Sequence, residues 1–384
     1  MKVTYPRMGN VHILVNDLLG RLDIETLTPP PTRLETISLG VRHAPELACF
    51  PLKVTLGNFI EGFEAGADAG IMVGGVGPCR FGYYAETQRR ILARLGYDAP
   101  MFILEPPLAH PLKFYRTFKR VAPRKTLADL VKALRVSWRK AVYIEKIEKK
   151  ALQIRCFEAD RGATTRARAQ AIAELEKAFL ESEIERAYQV AQHIMATVPR
   201  VERTVAKIGI VGEFYILLEP FVNFDCEETL GHMGFYLEKS VYLTDWLSPS
   251  NRNEISGHPT EIVNKAAEPY LSYFVGGDGR PTIGHTVLFA RDGFDGILHL
   301  MPFTCMPELI AKSILPLVSK ELDIPYLSLV IDEQSGRAGI QTRLEAFADL
   351  LKARRQHNVR PAREKITWLP EHVADEPKFV PRHA

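Results

Sequence analysis

The stretch that decides the fold is Ala69-Gly70-Ile71-Met72-Val73-Gly74-Gly75-Val76-Gly77-Pro78-Cys79. Its first five residues are apolar, which predicts a short buried strand, and this strand runs directly into a glycine-rich turn. Short strands that are apolar throughout are typical of a parallel sheet covered by helices on both faces. The turn ends in Pro78-Cys79, so a cysteine follows the carboxyl end of the predicted strand.

Strand and helix patterns alternate on both sides of this stretch. Before residue 125 the other predicted elements are strands at Lys2–Tyr5, Asp23–Leu27 and Met101–Leu104 and helices at Val11–Leu19, Pro51–Gly66 and Tyr83–Leu95. After residue 203 they are strands at Ala206–Val211, Gly296–Leu300 and Tyr326–Ile331 and helices at Thr282–Phe289, Met306–Val318 and Arg343–Lys352. This order predicts an α/β fold with two parallel sheets.

A change of composition separates the two α/β halves. Residues 125–203 lose the strand pattern and are rich in Ala, Glu, Lys and Arg, which predicts a helical segment. We therefore expect an N-terminal α/β domain at 1–124, this helical segment, and a C-terminal α/β domain at 204–355. Residues 356–384 are rich in proline and charge, and we expect an extended C-terminal tail there.

Composition and charge exclude several classes of protein. The 384 residues carry a net charge of +3, too small for a protein that binds nucleic acid through bulk electrostatics. The sequence contains no apolar run near the roughly 20 residues of a membrane span, and its N-terminus lacks the apolar core of a signal peptide. We expect a cytoplasmic protein that binds neither nucleic acid nor membrane.

Three of the five cysteines lie in turns that contain proline or glycine and open predicted helices. They are Cys49, Cys79 and Cys305. Helix N-termini favour a thiolate, and all three positions fall at the edge of a sheet where ligands bind. We expect the three thiolates to meet in the cleft between the domains and to bind a metal centre with one open position. Thiolates from separate loops suit iron–sulfur chemistry better than structural zinc, and no C-x-x-C pair is present.

Each of these residues has a plainer interpretation beside the functional one. Cys79 is either a metal ligand or part of a tight turn, and Lys53 could stabilise a Cys49 thiolate. Cys156 is predicted to be a packing residue inside a helix. Cys226, flanked by acidic residues, is a weak candidate for a fourth ligand. His43 is either a proton carrier near the metal centre or a surface or capping histidine.

The sequence lacks the nucleotide-binding loop that an ATP-hydrolysing protein of the P-loop class would need. No G-x-x-x-x-G-K-[ST] stretch occurs. The glycine-rich segment 276–281 lacks the required Lys and Ser/Thr and is predicted to be a loop. If ATP is involved, another polypeptide should hydrolyse it.

Four stretches together resemble a known family. They are Cys49-Phe50-Pro51-Leu52-Lys53, Gly77-Pro78-Cys79-Arg80-Phe81-Gly82-Tyr83-Tyr84, Pro302-Phe303-Thr304-Cys305-Met306-Pro307-Glu308 and Asp332-Glu333-Gln334-Ser335-Gly336-Arg337-Ala338-Gly339. They resemble signature stretches of the 2-hydroxyacyl-CoA dehydratase superfamily, and in particular its CoA-substrate-specific enzyme activase-related branch, which is similar to double-cubane-cluster proteins. The resemblance covers most of the chain outside the helical segment and the tail.

The resemblance implies two Rossmann-like domains with an oxygen-sensitive cluster in the cleft between them. It implies a [4Fe-4S] cluster on Cys49, Cys79 and Cys305, with low-potential electrons supplied by a separate ATP-dependent iron–sulfur activator. The alternative cofactor is a double-cubane [8Fe-9S] cluster shared with a partner subunit, because five cysteines are too few for one chain to build it.

The activity implied by the resemblance is that of an iron–sulfur dehydratase or reductase component in anaerobic metabolism. Such a component reduces or dehydrates a small or CoA-linked substrate. A homodimer, or a heterodimer with a related subunit, is the implied assembly. The alternative is a non-catalytic subunit that holds a cluster or relays electrons in a larger complex.

Overall fold

Two parallel sheets of four strands each organise the chain in the computed structural model, which describes residues 1–75, 77–107, 109–247 and 255–357. The strands of the first sheet are β1 (Lys2–Thr4), β2 (Glu25–Thr26), β3 (Ala69–Val73) and β4 (Met101–Leu104). Their order is β2-β1-β3-β4, and every neighbouring pair is parallel. The predicted α/β class is confirmed.

The second sheet repeats this arrangement. Its strands are β5 (Ala206–Gly212), β6 (Phe235–Lys239), β7 (Gly296–Pro302) and β8 (Tyr326–Ile331), in the order β6-β5-β7-β8. All its pairings are parallel. The edge strand β6 was absent from the sequence prediction because it ends in Glu238 and Lys239 and is too short for a clear alternation of apolar and polar residues.

Fifteen α-helices connect and cover the described strands. Those of the N-terminal part are α1 (Val11–Arg21), α2 (Leu34–His43), α3 (Phe50–Glu64), α4 (Tyr84–Arg94) and α5 (Pro111–Val121), with a short 3-10 helix at Arg80–Tyr83. Those of the middle are α6 (Leu127–Arg155), α7 (Ala163–Lys177) and α8 (Glu181–Ala196). The remainder are α9 (Phe214–Leu218), α10 (Cys226–His232), α11 (Leu243–Leu247), α12 (Thr260–Ala267), α13 (Gly279–Arg291), α14 (Met306–Leu322) and α15 (Arg337–His357).

The structure extends or adds several elements relative to the sequence prediction. Strands β3, β4 and β8 have the predicted bounds, but α2 was not predicted because its apolar positions are few. Helix α15 begins at Arg337 and continues to His357, so it reaches into the region predicted as tail. Residues 358–384 lie outside the described residues, and the predicted tail therefore stays a prediction.

Helices α2 and α3 touch through their backbones, and this contact fixes the helix that carries Cys49 at its start. A Cβ atom on Gly40 would collide with the carbonyl oxygen of Lys53, and one on Gly57 would collide with that of Thr36. The two glycines therefore allow the helices to approach more closely than any side chain would permit. Helix α3 is buried along its whole length from Phe50 to Phe63.

Helices α6, α7 and α8 pack on one another around their own apolar core. Among the described helices, none is both long and apolar enough to cross a membrane. Helix α6 also packs beside β6 and α11, so it connects the middle of the chain to the second sheet.

A buried carboxyl at the contact between α6 and α11 makes stability depend on pH. Glu145 is 6% exposed, and burial, together with Glu148 and Asp245, raises its pKa from 4.5 to about 8. Between these values the folded chain keeps a proton that the unfolded chain releases, so the free energy of unfolding falls as pH rises.

We expect the free energy of unfolding to fall less with rising pH in Glu145→Gln than in the natural chain. At about 1.4 kcal/mol per unit of pKa shift, the variant should exceed the natural chain in stability at pH 8 by at most a few kcal/mol. Urea unfolding at pH 5 and pH 8 measures the difference. An equal loss of stability in both proteins over that interval would contradict the assignment to Glu145.

Candidate functional site

Cys49, Cys79 and Cys305 each immediately precede a helix. Cys49 precedes α3, Cys79 precedes the 3-10 helix, and Cys305 precedes α14. All three have extended backbones, with φ of −64°, −67° and −74°. Prolines in the first turns of α3 and α14 suit this geometry because the first N–H groups of a helix have no partner within it. The sequence prediction that each cysteine opens a helix is confirmed.

One guanidinium connects the turns that hold the three cysteines. Arg80, the residue after Cys79, donates from Nη1 to the carbonyl oxygen of Leu47 at 2.9 Å. Its Nη2 donates to the carbonyl oxygen of Thr304. Leu47 lies two residues before Cys49, and Thr304 immediately precedes Cys305. The cysteine turns of both sheets are thus held at one side chain.

The glycine-rich segment 276–281 packs between two of these turns. A Cβ atom on Gly276 would lie 2.8 Å from the backbone nitrogen of Cys79. One on Gly277 would lie 3.7 Å from Cys79 Sγ and 3.3 Å from Pro307 Cγ. Both glycines have positive φ, of +86° and +47°, which residues with side chains rarely adopt. The segment is a loop, as predicted, but the sequence did not place it against the site.

A side-chain hydroxyl forms a hydrogen bond with one of the three sulfur atoms: the Tyr84 hydroxyl lies against Cys49 Sγ. Cys79 and Cys305 make no side-chain capping bond to the helices that they precede. The N–H groups of Phe81 and Glu308 at these helix starts nevertheless favour the ionised form of the two thiols. Donors near sulfur are a common feature around metal-bound thiolates.

The expected preference for thiolates is wrong for the chain without bound metal. Burial raises the pKa of each of the three thiols above its ordinary value, and the carboxyl of Glu213 raises all three further. Cys79 also raises the pKa of Cys49, and Cys49 raises that of Cys305, so the three groups lie within electrostatic reach of one another. Desolvation outweighs the helix termini here.

The expected role of Lys53 is also wrong. Its ammonium group lies 2.5 Å from Glu333 Oε1, in the loop after β8, and the lysine is 3% exposed. The side chain therefore pairs with a carboxylate of the C-terminal half instead of supporting a Cys49 thiolate. It forms a second link between the two halves beside the site.

Two acidic residues that the sequence analysis missed lie at the same edge of the second sheet. Glu213 directly follows β5, and burial together with Asp278 raises its pKa to about 8. Asp278 precedes α13 and accepts a hydrogen bond from the N–H of Phe214 at 3.0 Å. Burial and Glu308 raise the pKa of Asp278 to about 7. The sequence offered two signals for these residues: Glu213 closely follows a predicted strand, and Asp278 lies inside a glycine-rich segment.

A third carboxyl, Glu308, belongs to a hydrogen-bonded chain that is buried except at its last member, Ser328. Its Oε2 lies 2.9 Å from His299 Nε2, and Thr282 donates to its Oε1 at 3.2 Å. The other ring nitrogen of His299 lies 2.9 Å from Ser328 Oγ. Both Glu308 and His299 are 0% exposed, so His299 is a core residue.

The other candidates of the sequence analysis lie in the interior or at helix ends. Cys156 ends α6 instead of lying inside it, and it packs in the core with Phe157. Cys226 is 0% exposed in the core beside the second sheet, and its thiol donates to the carbonyl oxygen of Asn223 at 2.8 Å. His43 is the last residue of α2 and is half-buried.

The candidate ligands Cys49, Cys79 and Cys305 offer sulfur, the ligand type that iron–sulfur clusters use. Across residues 1–75, 77–107, 109–247 and 255–357, no three His, Cys, Asp or Glu side chains are grouped to hold one metal ion. A cluster differs because each cysteine bonds a separate iron atom, so the sulfurs stand farther apart. The three candidate sulfur atoms come from three separate helix starts.

The chain matches no model of a known protein family, and no curated protein matches it.

Proposed function

We propose that this chain is an iron–sulfur redox protein. In this proposal Cys49, Cys79 and Cys305 hold a [4Fe-4S] cluster with one open iron. A separate ATP-hydrolysing activator supplies low-potential electrons, and a small or CoA-linked substrate is reduced or dehydrated at the open position. The observation that carries the proposal is the link that Arg80 makes between the turns of three helix-capping cysteines from both halves of the chain.

The bound cluster would supply one-electron transfer and a Lewis-acidic iron atom. The chain's own part is to hold and shield it. Cys49 and Cys305 are 8% and 7% exposed, which limits access of water and oxidants to their sulfurs. Glu213 and Asp278, with pKa values of about 8 and 7, keep a share of their protons near neutral pH and so limit negative charge beside the thiolates.

A single cubane agrees better with the chain than a double cubane does. The two remaining cysteines, Cys156 and Cys226, lie in hydrophobic cores and have pKa values raised to about 12, chiefly by burial. Neither belongs to a turn of the kind that carries the three candidate ligands. An [8Fe-9S] centre would therefore need thiolates from a partner subunit.

Exposed apolar side chains around the cysteines favour a partner protein, and with it the second candidate function. We call this group the apolar rim: Leu47, Tyr83, Phe274, Phe303 and Met306. These residues are 37–73% exposed, and each lies on a segment that carries or contacts one of the three cysteines. A non-catalytic subunit that holds a cluster for a partner would need such a surface.

Iron and acid-labile sulfide content of the anaerobically purified chain tests the proposal. We expect about four of each per chain and an EPR signal on reduction, and about eight of each would indicate the larger centre. Exposure to air should bleach the absorbance. A chain that binds neither iron nor sulfide after anaerobic reconstitution would refute both candidate functions.

Turnover separates the two candidates. A chain that converts substrate with a chemical reductant alone would be catalytic. A chain that holds iron and changes substrate only together with a second subunit would support the cluster-holding role.

A further inference from the structure

The Tyr84 hydroxyl is a side-chain hydrogen-bond partner of a candidate ligand sulfur. It forms a hydrogen bond with Cys49 Sγ, whereas the groups that favour ionised Cys79 and Cys305 are backbone N–H groups at the helix starts. A backbone donor is present whatever the side chain, but a phenol can be removed by one substitution. The hydrogen bond at Cys49 therefore depends on the side chain at position 84 and can be tested by a single substitution.

The position of Tyr84 follows from the turn that holds Cys79. Tyr84 is the first residue of α4, directly after the 3-10 helix that Cys79 opens. The ring of Phe81, from that 3-10 helix, packs edge-on against the Tyr84 ring, with centroids 5.3 Å apart at 64°. Tyr84 is 5% exposed. One turn thus supplies both the Cys79 sulfur and the donor that reaches Cys49.

The Tyr84 hydroxyl donates to Cys49 whenever the sulfur is ionised or metal-bound. A thiolate carries no proton, so in that state the phenol O–H is the donor and the sulfur is the acceptor. Hydrogen bonds to an ionised acceptor are stronger than those between neutral groups.

We propose that Tyr84 is a positioning residue that raises the reduction potential of the candidate iron–sulfur site through its hydrogen bond to Cys49. This inference rests on the proposed function. Reduction adds one electron from the low-potential donor and increases negative charge on the cluster and its sulfur ligands. A donor at sulfur stabilises the reduced state more than the oxidised state, so the potential rises.

Tyr84→Phe tests this in the full chain, with Tyr115→Phe as the matched control. Tyr115 is 45% exposed on α5 and belongs neither to the cysteine turns nor to the apolar rim. We expect Tyr84→Phe to keep the natural iron content and to shift the midpoint potential, followed by EPR during reductive titration, to more negative values. Tyr115→Phe should leave the potential unchanged.

A second variant tests the hydrogen bond while the Tyr84 ring and its hydroxyl are both kept. Site-specific replacement of Tyr84 by 3,5-difluorotyrosine keeps the ring and the hydroxyl but makes the hydroxyl a stronger donor. We expect it to shift the potential to more positive values, opposite to Tyr84→Phe.

Two results would overturn the role of Tyr84. One is a midpoint potential that stays at the natural value in Tyr84→Phe with its iron retained. The other is an unchanged potential in the difluorotyrosine protein. If Tyr84→Phe loses its iron, this second measurement is the one that decides. Absence of iron from the natural chain would refute the proposed function instead, so the two failures are distinguishable.

Discussion

If the proposed function holds, replacing Cys79 by serine should remove most of the bound iron, whereas replacing Cys156 by serine should leave the iron content unchanged. Cys79 lies in a turn that Arg80 connects to the other two candidate ligands. Serine keeps the size of the side chain but offers a hard oxygen in place of the soft sulfur that iron–sulfur clusters select. Cys156 packs in a hydrophobic core at the end of α6.

The measurement is iron and sulfide per chain after identical anaerobic reconstitution of both variants. Circular dichroism checks that each variant is folded, because Cys156→Ser buries a hydroxyl and costs some stability. Equal iron retention in the two proteins would contradict the assignment of Cys79 as a ligand. Loss of iron from Cys156→Ser with its fold intact would do the same.

Gly57→Ala should destabilise the chain by about 3 kcal/mol, near the upper end of the range for overpacked interiors. The added methyl group would collide with the carbonyl oxygen of Thr36, which belongs to the backbone of α2 and cannot move aside as a flexible side chain would. The two helices must then separate, and α3 carries Cys49 at its start. Urea unfolding measures the loss, and a lower iron content is expected as a second consequence.

Gly20→Ala is the matched control for this prediction. Gly20 also lies in a helix, but a Cβ atom there would meet no other atom within 4 Å among the described residues. Alanine should therefore stabilise α1 by up to about 1 kcal/mol through its higher helix propensity. Comparable stability of the Gly57 and Gly20 variants would show that the close approach of α2 and α3 is not important for folding.

Sequence patterns predicted the parts of the fold that depend on local chemistry. Strand β3 has the predicted bounds because an apolar run between turn residues has few other interpretations. The three cysteines open helices as predicted because proline restricts the backbone nearby and glycine permits tight turns. Strand β6 was missed because its two charged residues conceal the alternation of a short edge strand.

The partners of the site residues depend on the tertiary fold, and the sequence could not identify them. Lys53 lies one helical turn after Cys49, which favoured a local interaction, yet it pairs with Glu333, 280 residues away. Glu213 and Asp278 meet only because β5 and α13 bring two separate loops to one edge of the sheet. The raised pKa values of the cysteines likewise depend on burial, which one segment alone does not reveal.

The two bonds of Arg80 have a mechanical consequence. Its guanidinium donates one hydrogen bond to the carbonyl oxygen of Leu47, two residues before Cys49. It donates the other to the carbonyl oxygen of Thr304, the residue before Cys305. Arg80 and Leu47 belong to the N-terminal half and Thr304 to the C-terminal half, so separating the halves would break the bond between Arg80 and Thr304 or the bond between Arg80 and Leu47. Such a separation would also move the turn of Cys305 away from the turn of Cys49, so the spacing of these two sulfur atoms depends on how closely the halves approach.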